Sequence, residues 1–525
     1  MSIYSNFRKG TPQTEALPGQ SRNNAGGFSY TISKWERLER FLIMGSEGGT
    51  YYVGEQKLTR DSATCIEECL AEDYRRTLNT IKDISVAGRA PKTQPAIFAL
   101  ALACTHEDEE VRRNAYLYIP HVCRIGTHLF TLLNYVTNLK GGRSGSGFQR
   151  AIARWYIDKP VDQVAYQTIK YRNREGWTHR DALRIAHPKV AEGDKARKHL
   201  FNFVCDRADD KKIAKHESLR KVEGFRKMQD AKTAQEAAKL ITQYELPWET
   251  VPTEFHNHAI VWEAIYDIGQ LGQTALIRQL PRLTNLGVIN TRPIAETITN
   301  GDLLTKSRVH PMFVLNALYT YKAGTGRGTT TWQPARKIVD ALDHAFYKSF
   351  GNVEPTGKRI NIGIDVSGSM RWRAIPNTNI NCAQAAAAMA LVTANVEHDY
   401  EIRGFSHEYV NLPISPRQRM DDVLREMEMP FGRTDCSLPM MWALEEGREF
   451  DAFCIYTDNE TYAGRQHPSE ALKMYRKKTG IDAKLIVVGM TATQFTIADP
   501  NDTGSLDVVG FDTATPDLIS QFIAG

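Results

Sequence analysis

Five oxygen-bearing side chains carry the sharpest chemistry in this sequence. Asp365, Ser367 and Ser369 form a D-x-S-x-S run, Thr434 lies in the segment GRTDC, and Asp458 ends the apolar run AFCIYTD. A sharp turn after Asp365 would aim one carboxylate and two hydroxyls at a common point. With Thr434 and Asp458 added, the set is all oxygen and carries few charges. Such a set suits a hard cation that keeps part of its water, Mg²⁺ or Mn²⁺, rather than a soft metal. A lone D-x-S-x-S occurs often by chance, so its weight comes from its context. The alternative chemistry for Asp365 is phosphoryl acceptance by a strand-terminal aspartate. Enzymes of that kind are expected to carry a second Asp two residues on, where this chain has Ser367. The segment GNVEPTGKR has the wrong glycine spacing for a phosphate-cradling loop, and neither HExxH nor G-x-S-x-G occurs. The residues therefore point to a binding site and not to an enzyme.

The elements around these residues support that reading. GNVEPTGK at residues 351–358 reads as a break, after which the apolar period changes. RINIGID alternates Ile360, Ile362 and Ile364 with smaller or polar positions and predicts a strand ending at Asp365. There follow an Ala-rich helix CAQAAAAMALVTANV, a strand YEIRGFS, helices QRMDDVLREMEM and CSLPMMWALEEG, a strand AFCIYTD, a helix HPSEALKMYRKK and a strand KLIVVGM. Strands alternating with helices predict a mostly parallel α/β sheet covered on both faces, with ligands gathered at the carboxyl ends of the strands.

From about Thr31 to Phe346 the pattern is helical instead. Apolar residues recur at helical spacing over Pro95 to Cys104, Glu109 to Tyr118, Thr127 to Leu139, Phe148 to Tyr156 and Val161 to Tyr171. Thr233 and Glu236 form a T-x-x-E start signal, and further helices are predicted over His258 to Ile268 and Thr274 to Leu283. Successive amphipathic helices with short connections predict a solenoid, because one helix pair cannot bury its apolar stripe alone. The chain thus divides into a polar, flexible tail over 1–27, a helical body over 28–350 and an α/β domain over 351–525.

Charge is unevenly spread along the body. Between Lys140 and Lys189 eleven basic side chains face four acidic ones, although the whole chain holds 66 Lys and Arg against 61 Asp and Glu. Such a stretch attracts phosphates, or is simply a solvated face. Trp177, lying among these basic residues, suits a core position. The eight cysteines form no CxxC pair and read as reduced core residues of a cytoplasmic protein, with Cys65 and Cys69 sharing a helical face as packing. The amino terminus lacks the apolar stretch of a secretory signal, and no apolar run approaches the roughly 20 residues that span a bilayer.

The Asp365, Ser367, Ser369, Thr434 and Asp458 pattern resembles the metal-ion-dependent adhesion site (MIDAS) of von Willebrand factor A domains. That resemblance implies direct metal contact by Ser367, Ser369 and Thr434, and contact by Asp365 and Asp458 directly or through water. It also implies an open coordination position that takes an acidic group from a partner. Nearly the whole chain resembles the Ro autoantigen, or TROVE-domain, family. The resemblance runs through SKWERLERFLIMGSEGGTYYVGEQKLT, KYRNREGWTHRDALRIAHPK, RVHPMFVLNALYTYKAG, AFYKSFGNVEPTGKR, DVSGSM, GRTDCSLPM, YTDNET and KLIVVGMTATQFTIADP. It implies a ring of HEAT-like helical repeats closed by a Rossmann-like A domain. It further implies a monomer that forms a ribonucleoprotein with a Y-type small RNA, binds misfolded noncoding RNA, and works with an exoribonuclease such as polynucleotide phosphorylase. By the same resemblance Lys170, Arg174 and His187 contact RNA: Lys170 and Arg174, four residues apart, would project from one helical face towards successive phosphates, and His187 would stack on a base or bond a phosphate, while Arg172, His179 and Arg180 could add charge to the same surface. The competing expectation is a metal-dependent protein-interaction scaffold without RNA binding, which would show no salt-dependent RNA affinity.

Overall fold

The structure is a computed structural model describing residues 10–23, 25–44, 64–90, 92–141, 145–307, 309–326, 330–350, 355–372, 380–415, 418–427, 432–459, 461–490, 495–509 and 515–524. Arg143 of the basic stretch, the first half of the GNVEPTGK break (351–354) and the segment 45–63 lie outside them.

The helical body opens with α1 (Lys34–Met44), α2 (Thr64–Ala87), α3 (Gln94–Thr105), α4 (Glu109–Val122), α5 (Gly126–Lys140), α6 (Ser146–Ile157), α7 (Val161–Lys170), α8 (His179–Ala186) and α9 (Lys195–Val204). The predicted helices in this stretch are present within a few residues of their expected ends. Helix starts follow local chemistry: Asp108 accepts the Glu110 N–H at the head of α4, and Thr178 with Asp181 forms a reciprocal box at the head of α8. At Ala234–Tyr244 the Thr233 hydroxyl accepts the Glu236 N–H, while the Glu236 carboxylate reaches back to the Lys232 N–H, one residue beyond the expected box. Helices α4, α6 and α8 lie side by side, and α3 packs against both α4 and α5, so the body is layered as a solenoid. Buried Trp155 and Trp262 anchor its core. The two ends of the body meet where the His310 ring lies 3.1 Å from the Arg89 carbonyl, 221 positions apart in sequence.

The second domain holds a six-stranded sheet in the order β11-β9-β8-β5-β6-β7, built from β5 (Arg359–Asp365), β6 (Asp399–Phe405), β7 (Tyr409–Asn411), β8 (Ala452–Thr457), β9 (Lys484–Gly489) and β11 (Ser505–Val509). All neighbours pair in parallel except β6 and β7. The apolar alternation predicted β5, β6, β8 and β9. It missed β7 and β11, whose sequences YVN and SLDVV are short and sit at the two sheet edges.

The amino-terminal segment departs from expectation. From Gly10 onward it is not a free tail: β1 (Gln20–Arg22) pairs with β2 (Phe28–Thr31), and β2 pairs with β10 (Phe495–Thr496) of the second domain. Composition pointed to flexibility because the segment is polar, but its polar groups are paired with the other domain, which composition does not show. Immediately after β2, α1 packs on β11, and the guanidinium of Arg40 is ion-paired with Asp507 and donates to the Phe495 carbonyl at 3.1 Å. Both side chains of the pair are nearly inaccessible, at 3% and 5%. Arg40→Met is expected to cost roughly 3–5 kcal/mol in urea denaturation by stranding a buried carboxylate, and Asp507→Leu added to it should recover most of that. At the other end of the body, Asp340 on the helix Arg336–Lys348 accepts from Arg419 at 2.8 Å. The A-type domain is thus held by both ends of the solenoid.

Candidate metal centre and nucleic-acid interface

Asp365 ends β5, and Asp458 follows the last residue of the neighbouring strand β8. From β5 the chain crosses to β6 on one side and later returns as β8 on the other, which makes this crevice the topological switch point of the sheet, where ligands bind. The turn after β5 folds Ser367 back so that its N–H donates to Asp365 Oδ1 at 2.9 Å, and brings Ser367 Oγ to 3.0 Å from Ser369 Oγ. The Thr457 hydroxyl donates to Asp365 Oδ2 at 2.7 Å. Thr434 is fixed through its backbone: its carbonyl accepts the N–H groups of Tyr462 and Ala463 at 3.1 Å, and the next N–H, of Asp435, donates to the Ser406 carbonyl at 2.7 Å beyond β6. All five predicted side chains are buried, and Asp365 is wholly inaccessible.

The electrostatics suit a cation. Burial first, and the Asp458 charge second, push the Asp365 carboxyl above the usual carboxylate range. The Asp458 charge reaches the buried Asp365, and a shared proton or a positive charge between the two would relieve that repulsion. Among the described residues no three His, Cys, Asp or Glu side chains gather as a metal cage, so the available set is two carboxylates and three hydroxyls. The nearby Cys436 thiol is driven well above its ordinary pKa by burial and stays protonated, which removes it as a soft ligand. The residues present therefore fit Mg²⁺ or Mn²⁺ held by Asp365, Ser367, Ser369, Thr434 and Asp458.

The predicted cationic residues fall differently from expectation. Lys170 is the last residue of α7, but Arg174 lies beyond the helix in a hairpin of β3 (Asn173–Arg174) and β4 (Trp177–Thr178). The two do not share a helical face, because the helix ends at Lys170, with Tyr171 leaving it at φ -114° and ψ 68°; the hairpin then turns at Glu175 and Gly176, both at positive φ (52° and 80°). Glutamate is an unusual residue for this turn; here its carboxylate accepts from Thr131 at 3.4 Å and Asn134 at 3.1 Å on α5. Arg174 is half exposed, with its Nε 3.6 Å from Glu175. Lys170 is only 18% exposed, donates to the Tyr166 hydroxyl at 3.0 Å and stands 3.9 Å from Glu249. Burial disfavours its charge, but Tyr171, Tyr166 and Glu249 outweigh this and hold its pKa above that of an ordinary lysine.

His187 is exposed, caps α8 in the left-handed region at φ 44° and donates its N–H to the Leu183 carbonyl. Arg180 leaves α8 to pair with Asp206, and the exposed Arg172 lies 5.2 Å from the Phe225 ring centre. His179 does not add surface charge. It is buried with Nδ1 2.7 Å from the Tyr156 hydroxyl and Nε2 3.2 Å from the Gln167 carbonyl, and burial pushes its pKa down to about 4. Trp177 is partly buried against the core, as expected. Two further arginines precede the basic stretch and escaped it: Arg112 and Arg113 on α4 join Lys140, Arg150 and Arg154 around a groove of ≈ 820 Å³ between α4 and α6, which also touches Glu109 and Asp158. Only the packing of α4 beside α6 brings the two groups together.

Two family descriptions match the chain, TROVE domain over residues 21–323 and Ro60 vWA domain over 359–523. The chain is 40% identical over 527 residues to "RNA-binding protein RO60" of Deinococcus radiodurans, covering 98% of this chain and 97% of that protein. It is 35% identical over 583 residues to "RNA-binding protein RO60" of Caenorhabditis elegans, covering 97% and 90%. The crystal structure of the Deinococcus radiodurans RO (RSR) protein superposes with a TM-score of 0.71 at 38% identity, covering 94% of this chain and all of that one. A mainly helical body joined to a largely parallel-sheet A domain, matched over nearly its whole length at these identities, places this chain in the Ro60 family of TROVE-domain proteins.

Proposed function

We propose that the protein binds structured RNA through the cationic face of its helical body, forms a cytoplasmic ribonucleoprotein with a Y-type small RNA, and receives misfolded noncoding RNA for quality control. The observation that carries this reading is the run of exposed Arg and His side chains across the adjacent helices α4, α6 and α8 and the β3–β4 hairpin, Arg113, Arg150, Arg154, Arg174 and His187, with the partly exposed Arg180 among them. Arginine forks bind phosphate in two-point fashion, and side-by-side helices repeat them across a surface. The relatives' shared name, RNA-binding protein, agrees with it. The A domain serves as a Mg²⁺- or Mn²⁺-dependent docking module that performs no catalysis; an exoribonuclease such as polynucleotide phosphorylase, presenting an acidic group to the cation, fits it as a partner. Turnover of a phosphoester by the purified protein with Mg²⁺ would contradict the non-catalytic assignment.

The direct test is a titration of structured RNA at several salt concentrations, together with sequencing of the RNA that copurifies. An affinity independent of salt would remove RNA from the account and leave the scaffold reading. Two of the three positions that the resemblance implies are expected to differ in weight. Arg174→Ala is expected to weaken RNA binding several-fold and flatten the log–log salt slope by about one unit, whereas Lys170→Ala should flatten it less, because Glu249 and Tyr166 already hold its ammonium. Equal slopes for the two variants would show that Lys170 leaves Glu249 to reach the RNA.

A further inference from the structure

The amino-terminal segment does more than join two domains. Gln13 is wholly inaccessible, and all of its side-chain hydrogen bonds go to residues on or beside the loops of the metal centre. Its amide nitrogen donates to Asp435 Oδ1 at 2.8 Å and to the Gln466 carbonyl at 2.9 Å, and its amide oxygen accepts from the Thr461 hydroxyl. Its backbone N–H donates to the Gly464 carbonyl, and its own carbonyl accepts the Phe28 N–H, both at 3.0 Å. Asp435 is the residue after Thr434, and Thr461 is three residues past Asp458. One side chain therefore ties together two of the three loops that supply ligands.

Other bonds repeat the pattern. Asn23 donates to the Thr461 carbonyl at 2.7 Å, and Thr11 donates its N–H to Glu470 at 2.9 Å. The fit leaves no slack: a methyl group on Gly464 would stand 2.1 Å from the Gln13 amide nitrogen, and one on Gly27 would stand 2.2 Å from the Thr461 carbonyl. On the far side β2 holds β10, and beyond it the Ile497 N–H donates to Asn459, the residue after Asp458, at 3.2 Å.

We propose that the strap formed by residues 10–31 is an integral part of the cation site, with Gln13 as the positioning residue that sets Thr434 and Asp458 at their working separation, so that strap docking and cation binding are coupled. The idea rests on the cation reading of Asp365, Ser367, Ser369, Thr434 and Asp458. Coupling through shared loops is reciprocal: whatever factor the docked strap adds to cation affinity, the bound cation adds to strap docking. A strap that served only to fasten the domain would leave cation affinity unmoved.

The test uses the full chain and Mn²⁺ alone as probe. Calorimetry gives Mn²⁺ affinity, and hydrogen exchange of the strap amides is followed with and without saturating Mn²⁺. Gln13→Ala is expected to lower Mn²⁺ affinity about tenfold and to cancel the slowing of strap exchange by Mn²⁺, with RNA affinity unchanged. Gly464→Ala, whose methyl would press on both Gln13 and Asp435 at the point where they meet, should do the same. Thr461→Val should reproduce part of the loss, and Thr461→Ser, which keeps the hydroxyl, should restore it. Wild-type Mn²⁺ affinity in correctly folded Gln13→Ala and Gly464→Ala proteins overturns the coupling alone. No Mn²⁺ binding to the wild-type chain overturns both the coupling and the cation site beneath it.

Discussion

Replacing Arg150, Arg154, Arg174 and Arg180 together with alanine is expected to weaken binding of a structured RNA about a thousandfold near 0.15 M salt and to flatten the salt slope by about three units. Each phosphate contact releases condensed counterions and contributes somewhat under one unit of slope, so four lost contacts sum to roughly that figure. The four lie on neighbouring elements, α6, α8 and the β3–β4 hairpin, and none is buried, so their removal should leave the fold intact. A control in which four arginines of the A domain are replaced should change neither quantity. Full affinity in the quadruple variant, with unfolding unchanged, would move the RNA to another surface.

Asp365→Asn is expected to abolish Mg²⁺ and Mn²⁺ binding and yet to raise the stability of the metal-free protein at neutral pH. The sign follows from linkage. Burial and Asp458 raise the Asp365 pKa in the folded state above its unfolded value, so the native state holds the extra proton. Stability of the metal-free wild type therefore declines as pH climbs from the ordinary carboxylate range through the raised value. An amide has no charge to bury and escapes that decline. A cation reverses the trend, since it binds the ionised pair, and wild-type protein should gain about 2.7 kcal/mol at a hundredfold excess over Kd while Asp365→Asn gains nothing. Thermal melts from pH 5 to 8 with and without Mn²⁺ check both halves. A variant less stable than wild type in the absence of metal at pH 8 would show that the Asp365 carboxylate is held by something other than a cation.

How much could be read from the chain alone depended on whether the signal was local. Asp365 and Asp458 were legible because each closes an apolar run, and parallel sheets place such ends together. The body helices were legible because Pro95 to Cys104 or Thr127 to Leu139 carry their own apolar period. Arg174 was misplaced because four-residue spacing from Lys170 reads as helical, while the helix stops at Lys170 and the hairpin that carries Arg174 turns at Glu175, which Thr131 and Asn134 hold from another helix. The pairing of Lys170 with Glu249 and the burial of His179 against Tyr156 are likewise contacts between distant segments, with no trace in local pattern. The role of Gln13 was hidden most completely, since its partners lie more than 400 positions away.

The three-stranded sheet β1-β2-β10 mixes residues 20–31 with residues 495 and 496. During synthesis at ~5–20 residues per second, the first strands must wait roughly half a minute or more before their mate leaves the ribosome. Until then the nascent solenoid has one end uncapped, Arg40 has no carboxylate to meet, and the polar leader stays solvated. Its lack of apolar content, which disguised its role, is what lets it wait without aggregating.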